Sequence, residues 1–259
     1  MALFSDPEVI TLDDLLPFEN SLIEISSTHG IDVETKIAMA LSAVGDRLML
    51  RLLRAGAADP QNGQRRSLGL STVVVTTVLA RWLCFEALSR IYAEAYNLQL
   101  NTRFQGKWTE YKQQAAEAAD LVFSGGIGIV TTPLARPAKP IFGNLSAILP
   151  EQAVYMQAAW VDATGAESAP SPINACILNG SQGLSVGMDL SQSPVPATAI
   201  GWNIYANNTP THLSRQNNLP IVITDSWSLP LTGLSIGMRP SGGQEPVTFI
   251  TFTDRLQRG

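Results

Sequence analysis

Histidine, cysteine and paired carboxylates build most active and metal sites, and this chain uses the first two sparingly. Its two histidines are His29, which precedes Gly30 in a predicted loop, and His212, in the predicted turn Thr209-Pro-Thr-His-Leu213. Neither has a second His, a Cys or a carboxylate at ligand spacing, so both read as solvated loop residues rather than metal ligands or catalytic bases. Cys84 and Cys176 lie 92 positions apart, which excludes a disulfide framework or a Cys-rich zinc site. Cys84 falls in an apolar helical pattern and Cys176 in a strand-like one, so each is expected to be a small buried hydrophobe of a protein made in a reducing cytoplasm.

Phosphate and acid–base chemistry fare no better. A dinucleotide fingerprint follows a strand and opens a helix, whereas Gly126-Ile-Gly128 closes a predicted helix and lacks the third glycine. No Walker loop, Gly-x-Ser-x-Gly elbow or His-Glu-x-x-His occurs. Asp13-Asp14 suits the first turn of a helix, where the dipole favours acidic groups. Asp162, Glu167, Asp189 and Asp225 fall at predicted turns or strand ends, where Asp is commonly found. The expectation is a protein that is not an enzyme, with no catalytic, cofactor-binding or metal residues.

Arginine is the exception. Arg47, Arg51 and Arg54 follow one another at spacings of four and three, forming one basic ridge on a predicted helix, and Arg65-Arg66 follow in a loop. The plain reading is a solvated helix face. The sharper one is a rim contact with acidic groups of a neighbouring subunit, a role that suits the planar guanidinium. A local DNA contact is a third reading, opposed by the formal net charge of −5.

The elements that position these residues change character near Pro140. Residues 1–140 hold 28 of the 39 charged residues, while residues 141–259 hold 10 of the 16 prolines, which suits helices first and short strands afterwards. With 45% hydrophobic and 15% charged residues overall, both parts can build cores. Asp32 can cap a helix with the stripe Ile37, Leu41, Val44, Leu48 and Leu52, stopped by Gly56 and Asp59-Pro60. Ser71 can cap a second, running to about Leu98, apolar on most sides and therefore central. Asn101 can cap a third, bearing Phe104, Trp108, Tyr111 and Val122, which Ser124-Gly-Gly-Ile-Gly128 ends. A shorter helix is expected over Leu12–Ser26.

Prolines 133, 137 and 140 predict an extended linker over 131–145. Strands follow at Val154–Val161, Ile173–Leu178, Leu184–Leu190, Gly201–Ala206, Pro220–Thr224 and Val247–Thr253, with a turn at Asp162-Ala-Thr-Gly165. Turn signals every 8–15 residues predict a sandwich of about seven strands. The fold class is α+β multidomain: a helical bundle over 1–130, a linker over 131–145 and an all-β immunoglobulin-like sandwich over 146–259. No apolar run reaches the ~18 residues of a membrane span, and the acidic opening Met-Ala-Leu-Phe-Ser-Asp-Pro-Glu predicts no secretory leader.

Two stretches resemble known families. The helical part, over about residues 10–125, resembles the head–tail connector (adaptor) proteins of tailed bacteriophages, in the order and length of its helices and in the aromatic-rich segment Phe104-Gln-Gly-Lys-Trp-Thr-Glu-Tyr-Lys112. The later part is similar to the fibronectin type III and immunoglobulin-like modules of phage structural proteins. That similarity rests on Tyr155–Ser171, with its Asp162-x-x-Gly165-x-x-Ser168 turn, and on Ala197-Thr-Ala-Ile-Gly-Trp-Asn-Ile-Tyr-Ala206. The stretches Leu213 to Pro230 and Gly233 to Pro240 extend it.

The resemblance implies a structural virion protein of the neck, between capsid and tail, assembled in the host bacterial cytoplasm. It implies a homo-oligomeric ring of about twelve copies that docks on the portal protein and meets the tail or a further neck protein. DNA would pass through the lumen without specific binding; no cofactor and no membrane are implied. Arg47, Arg51, Arg54, Arg65, Arg66, Arg255 and Arg258 are the candidate subunit or portal contacts. The polar segment from Phe252 to Gly259 is expected to be a frayed tail or a docking peptide. Two alternatives stay open: another tail, neck or decoration protein, or a glycan-binding module that would use exposed aromatics, Trp202 and Trp227 being the candidates.

Overall fold

The computed structural model describes residues 1–55, 68–99, 102–147 and 149–251. Its helices are α1 (Leu12–Leu15), α2 (Leu22–His29), α3 (Val33–Ala55), α4 (Thr77–Gln99) and α5 (Thr102–Gly125), with one 3-10 turn at Leu70–Thr72. Its strands are β1 (Ile127–Ile129), β2 (Ile141–Leu145), β3 (Gln152–Asp162), β4 (Asn174–Leu178), β5 (Gly183–Gly187), β6 (Ala199–Asn207), β7 (Ser214–Arg215), β8 (Trp227–Ser228) and β9 (Thr248–Ile250). The chain forms a helical unit, Pro7–Val130 with the stretch from Pro246 onward, and a β unit, Met1–Asp6 with Thr131–Glu245. The expected division at about residue 130 is therefore crossed twice, by the first six residues and by the last strand.

In the helical unit, α3 begins where Asp32 accepts hydrogen bonds from Thr35 N (3.1 Å) and Thr35 Oγ1 (2.6 Å). Those bonds hold the Asp32 carboxyl below its ordinary pKa. Of the expected stripe, Ile37, Val44, Leu48 and Leu52 are buried, while Leu41 is half-buried and Ala40 takes the buried position beside it. Central α4 buries Leu79, Trp82, Leu83, Leu88, Ile91 and Ala95, so the expectation of an enclosed helix holds.

Several boundaries differ from the sequence reading. α4 starts at Thr77 rather than Ser71, because the β-branched run Val73–Val75 is extended. Val73 bridges Ile129, and Val74 N donates to Gly128 O at 2.9 Å. The single helix expected over Leu12–Ser26 is two, α1 and α2, parted around Pro17. His29 is not in a loop: it is the last residue of α2, its ring edge-on to Phe104 at 5.4 Å. Asn101, the expected cap of α5, lies outside the described residues. At the other end of α5, Gly126 at φ 95° breaks the helix in a conformation that costs a side chain dearly. The chain then enters β1, which pairs antiparallel with β9, so of the strand expected over Val247–Thr253 the described part, Thr248–Ile250, serves the helical unit and not the sandwich, while Phe252 and Thr253 lie outside the described residues.

The β unit is two antiparallel sheets, β2-β5-β8 and β4-β3-β6-β7, seven strands in all. They close on one core that includes Val154, Met156, Trp160, Val186, Trp202 and Trp227. Trp160 and Trp202 stand opposite each other on β3 and β6 and are both fully buried. The stretch read as a linker is integral to this unit. Leu134 is fully buried and its N–H donates to Gln244 Oε1 at 2.7 Å, while Ile141–Leu145 is β2. Pro220–Thr224 forms no strand, contributing one bridge from Ile221 to Trp202.

The turn after β3 follows its sequence signature. Asp162 Oδ1 accepts from Thr164 N (2.8 Å), Thr164 Oγ1 (2.7 Å) and Ala166 N (3.0 Å), and Gly165 takes the left-handed φ of 84°. Beyond it, buried Ser168 and Ser171 act as substitute strand partners: their hydroxyls accept from Trp160 N and Ala158 N, both at 3.0 Å.

Candidate functional site

The arginine ridge is built on the second half of α3. Arg47, Arg51 and Arg54 flank the buried stripe of Val44, Leu48 and Leu52, at its border with solvent. The Arg47 guanidinium carbon lies 5.9 Å from the Trp82 ring of α4, and that of Arg51 lies 4.8 Å from the Phe123 ring of α5. Trp82 and Phe123 meet edge to face at 5.5 Å. An aromatic pair from two neighbouring helices thus seats two guanidiniums of the third. Such stacking is worth about 0.5–1 kcal/mol per pair at the surface and pre-orders each cation.

A groove of about 330 Å³ runs beside the ridge, lined by Arg47, Leu50, Arg51, Arg54, Asp120 and Phe123. A smaller one of about 270 Å³ shares Arg47 and includes Glu86, Arg90, Trp108 and Lys112; there Arg90 pairs with Glu86 at 2.8 Å. The structure therefore brings together Arg47, Arg51 and Arg54. Arg65, Arg66, Arg255 and Arg258, and the tail from Phe252, lie outside the described residues.

Sequence reasoning missed the apolar partners of this ridge. Leu50 is 50% exposed and Leu53 68% exposed, both outside the buried stripe. Toward the helix start Glu34, Thr35, Ser42 and Asp46 are exposed, and so is Met39 at 44%, so the outer face of α3 carries apolar side chains at both ends, with Leu50 and Leu53 beside the arginines. The available signal was that Leu50 and Leu53 break the stripe's spacing.

It also missed the network around Glu19. That carboxylate accepts from Ser21 Oγ (2.6 Å) and Tyr111 Oη (3.0 Å), with Lys107 Nζ at 3.4 Å. Burial opposes ionisation there, but bonds from Ser21, Tyr92 and Tyr111, with the Lys107 charge, outweigh it and hold the carboxyl at about 2.

The other candidates have structural settings. Asp14 closes a capping box with Thr11, Asp162 holds the turn after β3, and Asp189 accepts from Ser191. Glu167 accepts from Tyr205 Oη at 2.7 Å and from Asn203. Burial pushes the Cys84 thiol up to about 12; Cys176 is half-buried against the sandwich core. His212 is exposed, its Nδ1 2.7 Å from Thr211 Oγ1. Trp202 and Trp227 are buried in the core, so neither offers a sugar-stacking surface. Among the described residues no group of three or more His, Cys, Asp and Glu side chains could hold a metal ion, and no helix is long and apolar enough to cross a membrane. No protein-family model, curated protein or solved structure matches the chain.

Proposed function

We propose that this protein is a structural part of a tailed-phage neck, a connector whose copies form a ring on the portal and join capsid to tail. The observation that carries the reading is the pair of exposed leucines, Leu50 and Leu53, on an ordered helix beside three arginines. Exposed leucines bordered by arginines are a combination that a protein interface can use, arginine being enriched at such contacts. The helical unit has already enclosed α4, so its remaining apolar surface is left for a partner.

A contact between two different patches on identical copies closes into a ring when the rotation between copies fits. Modest contacts suffice in such a ring, because each is repeated and the portal presents all its sites together. The portal, the tail or a further neck protein, and DNA passing through the lumen without specific contacts, are the partners of this reading. Labelling the chain in intact virions tests it: electron micrographs should place many copies at the junction of capsid and tail. A single copy per particle, or a location elsewhere, would contradict it.

A further inference from the structure

Charge is segregated along the helical unit. From Pro7 to Thr35 the sequence carries seven acidic residues and no Lys or Arg. The first basic residue, Lys36, is paired with Glu94 of α4. Glu8 and Glu34, both exposed, border a groove of about 330 Å³ whose floor includes buried Ile10 and Ile37 and half-buried Leu12 and Leu41. Glu8 stands there at φ 55°, the one non-glycine residue at positive φ among those described, a conformation that ordinary side chains avoid.

This acidic-rimmed apolar groove lies at the start of α3, and the arginine ridge with its exposed leucines lies at the end. Thirteen residues separate Glu34 from Arg47, which is about 20 Å of helix. The two surfaces are complementary in both charge and polarity: apolar floor against Leu50 and Leu53, carboxylates against guanidiniums. Among the described residues lining the groove beside the ridge, Asp120 is the one acid and three are arginines. A groove of this size is at the small end for ligand clefts and suits a few side chains of a neighbour.

We infer that the arginine ridge of one copy docks into the Glu8–Glu34 groove of the next copy of this chain. The inference rests on the ring reading above and specifies the contact that builds the ring. Because the two surfaces differ and sit at opposite ends of one helix, the contact is head-to-tail. Each copy therefore has one of each to offer, as a ring requires. Arginine suits the role, since the Phe123 ring 4.8 Å from the Arg51 guanidinium carbon restrains that group before the partner arrives.

Reciprocal charge reversal tests this on the full chain. One variant carries Glu8→Lys and Glu34→Lys, the other Arg47→Glu and Arg54→Glu; all four positions are exposed. Assembly is followed by sedimentation velocity, alone and on portal rings of the same virion. Each variant alone should need at least about tenfold more protein to assemble, which is ~1.4 kcal/mol. Their equimolar mixture should assemble like the wild type, because each reversed surface then meets a reversed partner in alternating copies. Leu53→Asp, at an exposed position, provides a further check and should also weaken assembly. Wild-type assembly that neither double variant disturbs would overturn this contact and leave the ring reading standing, as would folded variants whose mixture is not rescued. A wild type that stays monomeric even with portal rings would overturn both.

Discussion

The helical unit and the β unit solve the same problem, burying polar backbone and apolar side chains in one core, with different chemistry. The stretch Pro7–Val130 holds 25 charged residues and Thr131–Glu245 holds 10. The first uses its charges structurally. Arg47 and Arg51 lie over Trp82 and Phe123, Lys107 and Lys112 over Tyr111 and Trp108, and Glu19 gathers the hydroxyls of Ser21, Tyr92 and Tyr111 and an ammonium. The second uses neutral groups, with Ser168 and Ser171 standing in as strand partners and three tryptophans filling the core. What differs is how each responds to solution conditions: one fold should feel acid and salt, the other mainly volume.

The largest effect should come from volume. Trp202→Ala removes a fully buried ring facing Trp160 and should cost the β unit about 3–5 kcal/mol. Thermal unfolding followed by near-ultraviolet and far-ultraviolet circular dichroism would check it, with sheet signal lost well below the helix signal. Simultaneous loss of both would break the distinction between the units.

Acid sharpens the comparison from the other side. The Glu19 carboxyl is held at about 2 in the fold, against ~4.3 for a free glutamate. A lowered folded-state pKa contributes stability that is fully present above the unfolded value and is lost as pH falls from about 4.3 through about 2. Glu19→Gln should therefore cost on the order of 1.5–3 kcal/mol at neutral pH, the worth of hydrogen bonds to a charged group. It should also flatten the helix signal's dependence on pH in that window. A variant with the wild-type acid profile would show that the network does not act as described.

Ser168→Ala leaves the buried N–H of Trp160 without its hydroxyl partner and should cost about 1–3 kcal/mol. That loss should be independent of pH between about 4 and 8, where serine does not titrate. Denaturant unfolding at both ends of the range measures it. The smallest signal is chemical. A thiol reagent on the native protein should modify half-buried Cys176 before Cys84, whose thiol is buried and raised to about 12. Equal rates would mean that α4 opens far more readily than its enclosure implies.

How much of this was legible in the sequence depended on whether the signal was local. The stripe Ile37–Leu52, the cap at Asp32, the Asp162–Gly165 turn and the arginine spacing are all set by residues close in sequence, and they fold as read except for Leu41, which is half-buried while Ala40 is buried. Contacts between distant residues were illegible. Val73–Val75 looks helical until Ile129 is available to pair with Val73, and Thr248–Ile250 looks like part of another sandwich strand until β1 claims it. At prolines 133, 137 and 140 the chain forms neither helix nor strand, but the prolines could not show that Gln244 and the sandwich core would take this stretch in. The candidate site divides the same way. The three arginines are visible in their spacing, while the aromatic rings of α4 and α5 beside them, and the exposure of Leu50 and Leu53, emerge only when three helices are assembled.

If copies of this chain assemble side by side through the helical unit, as proposed, the mass of the purified full chain will show it. Measured with portal rings of the same virion, the chain should appear in one discrete complex carrying a fixed integer number of 27.8 kDa copies. A chain that stays at 27.8 kDa with the portal present, or that adds without limit into open filaments, would contradict the account.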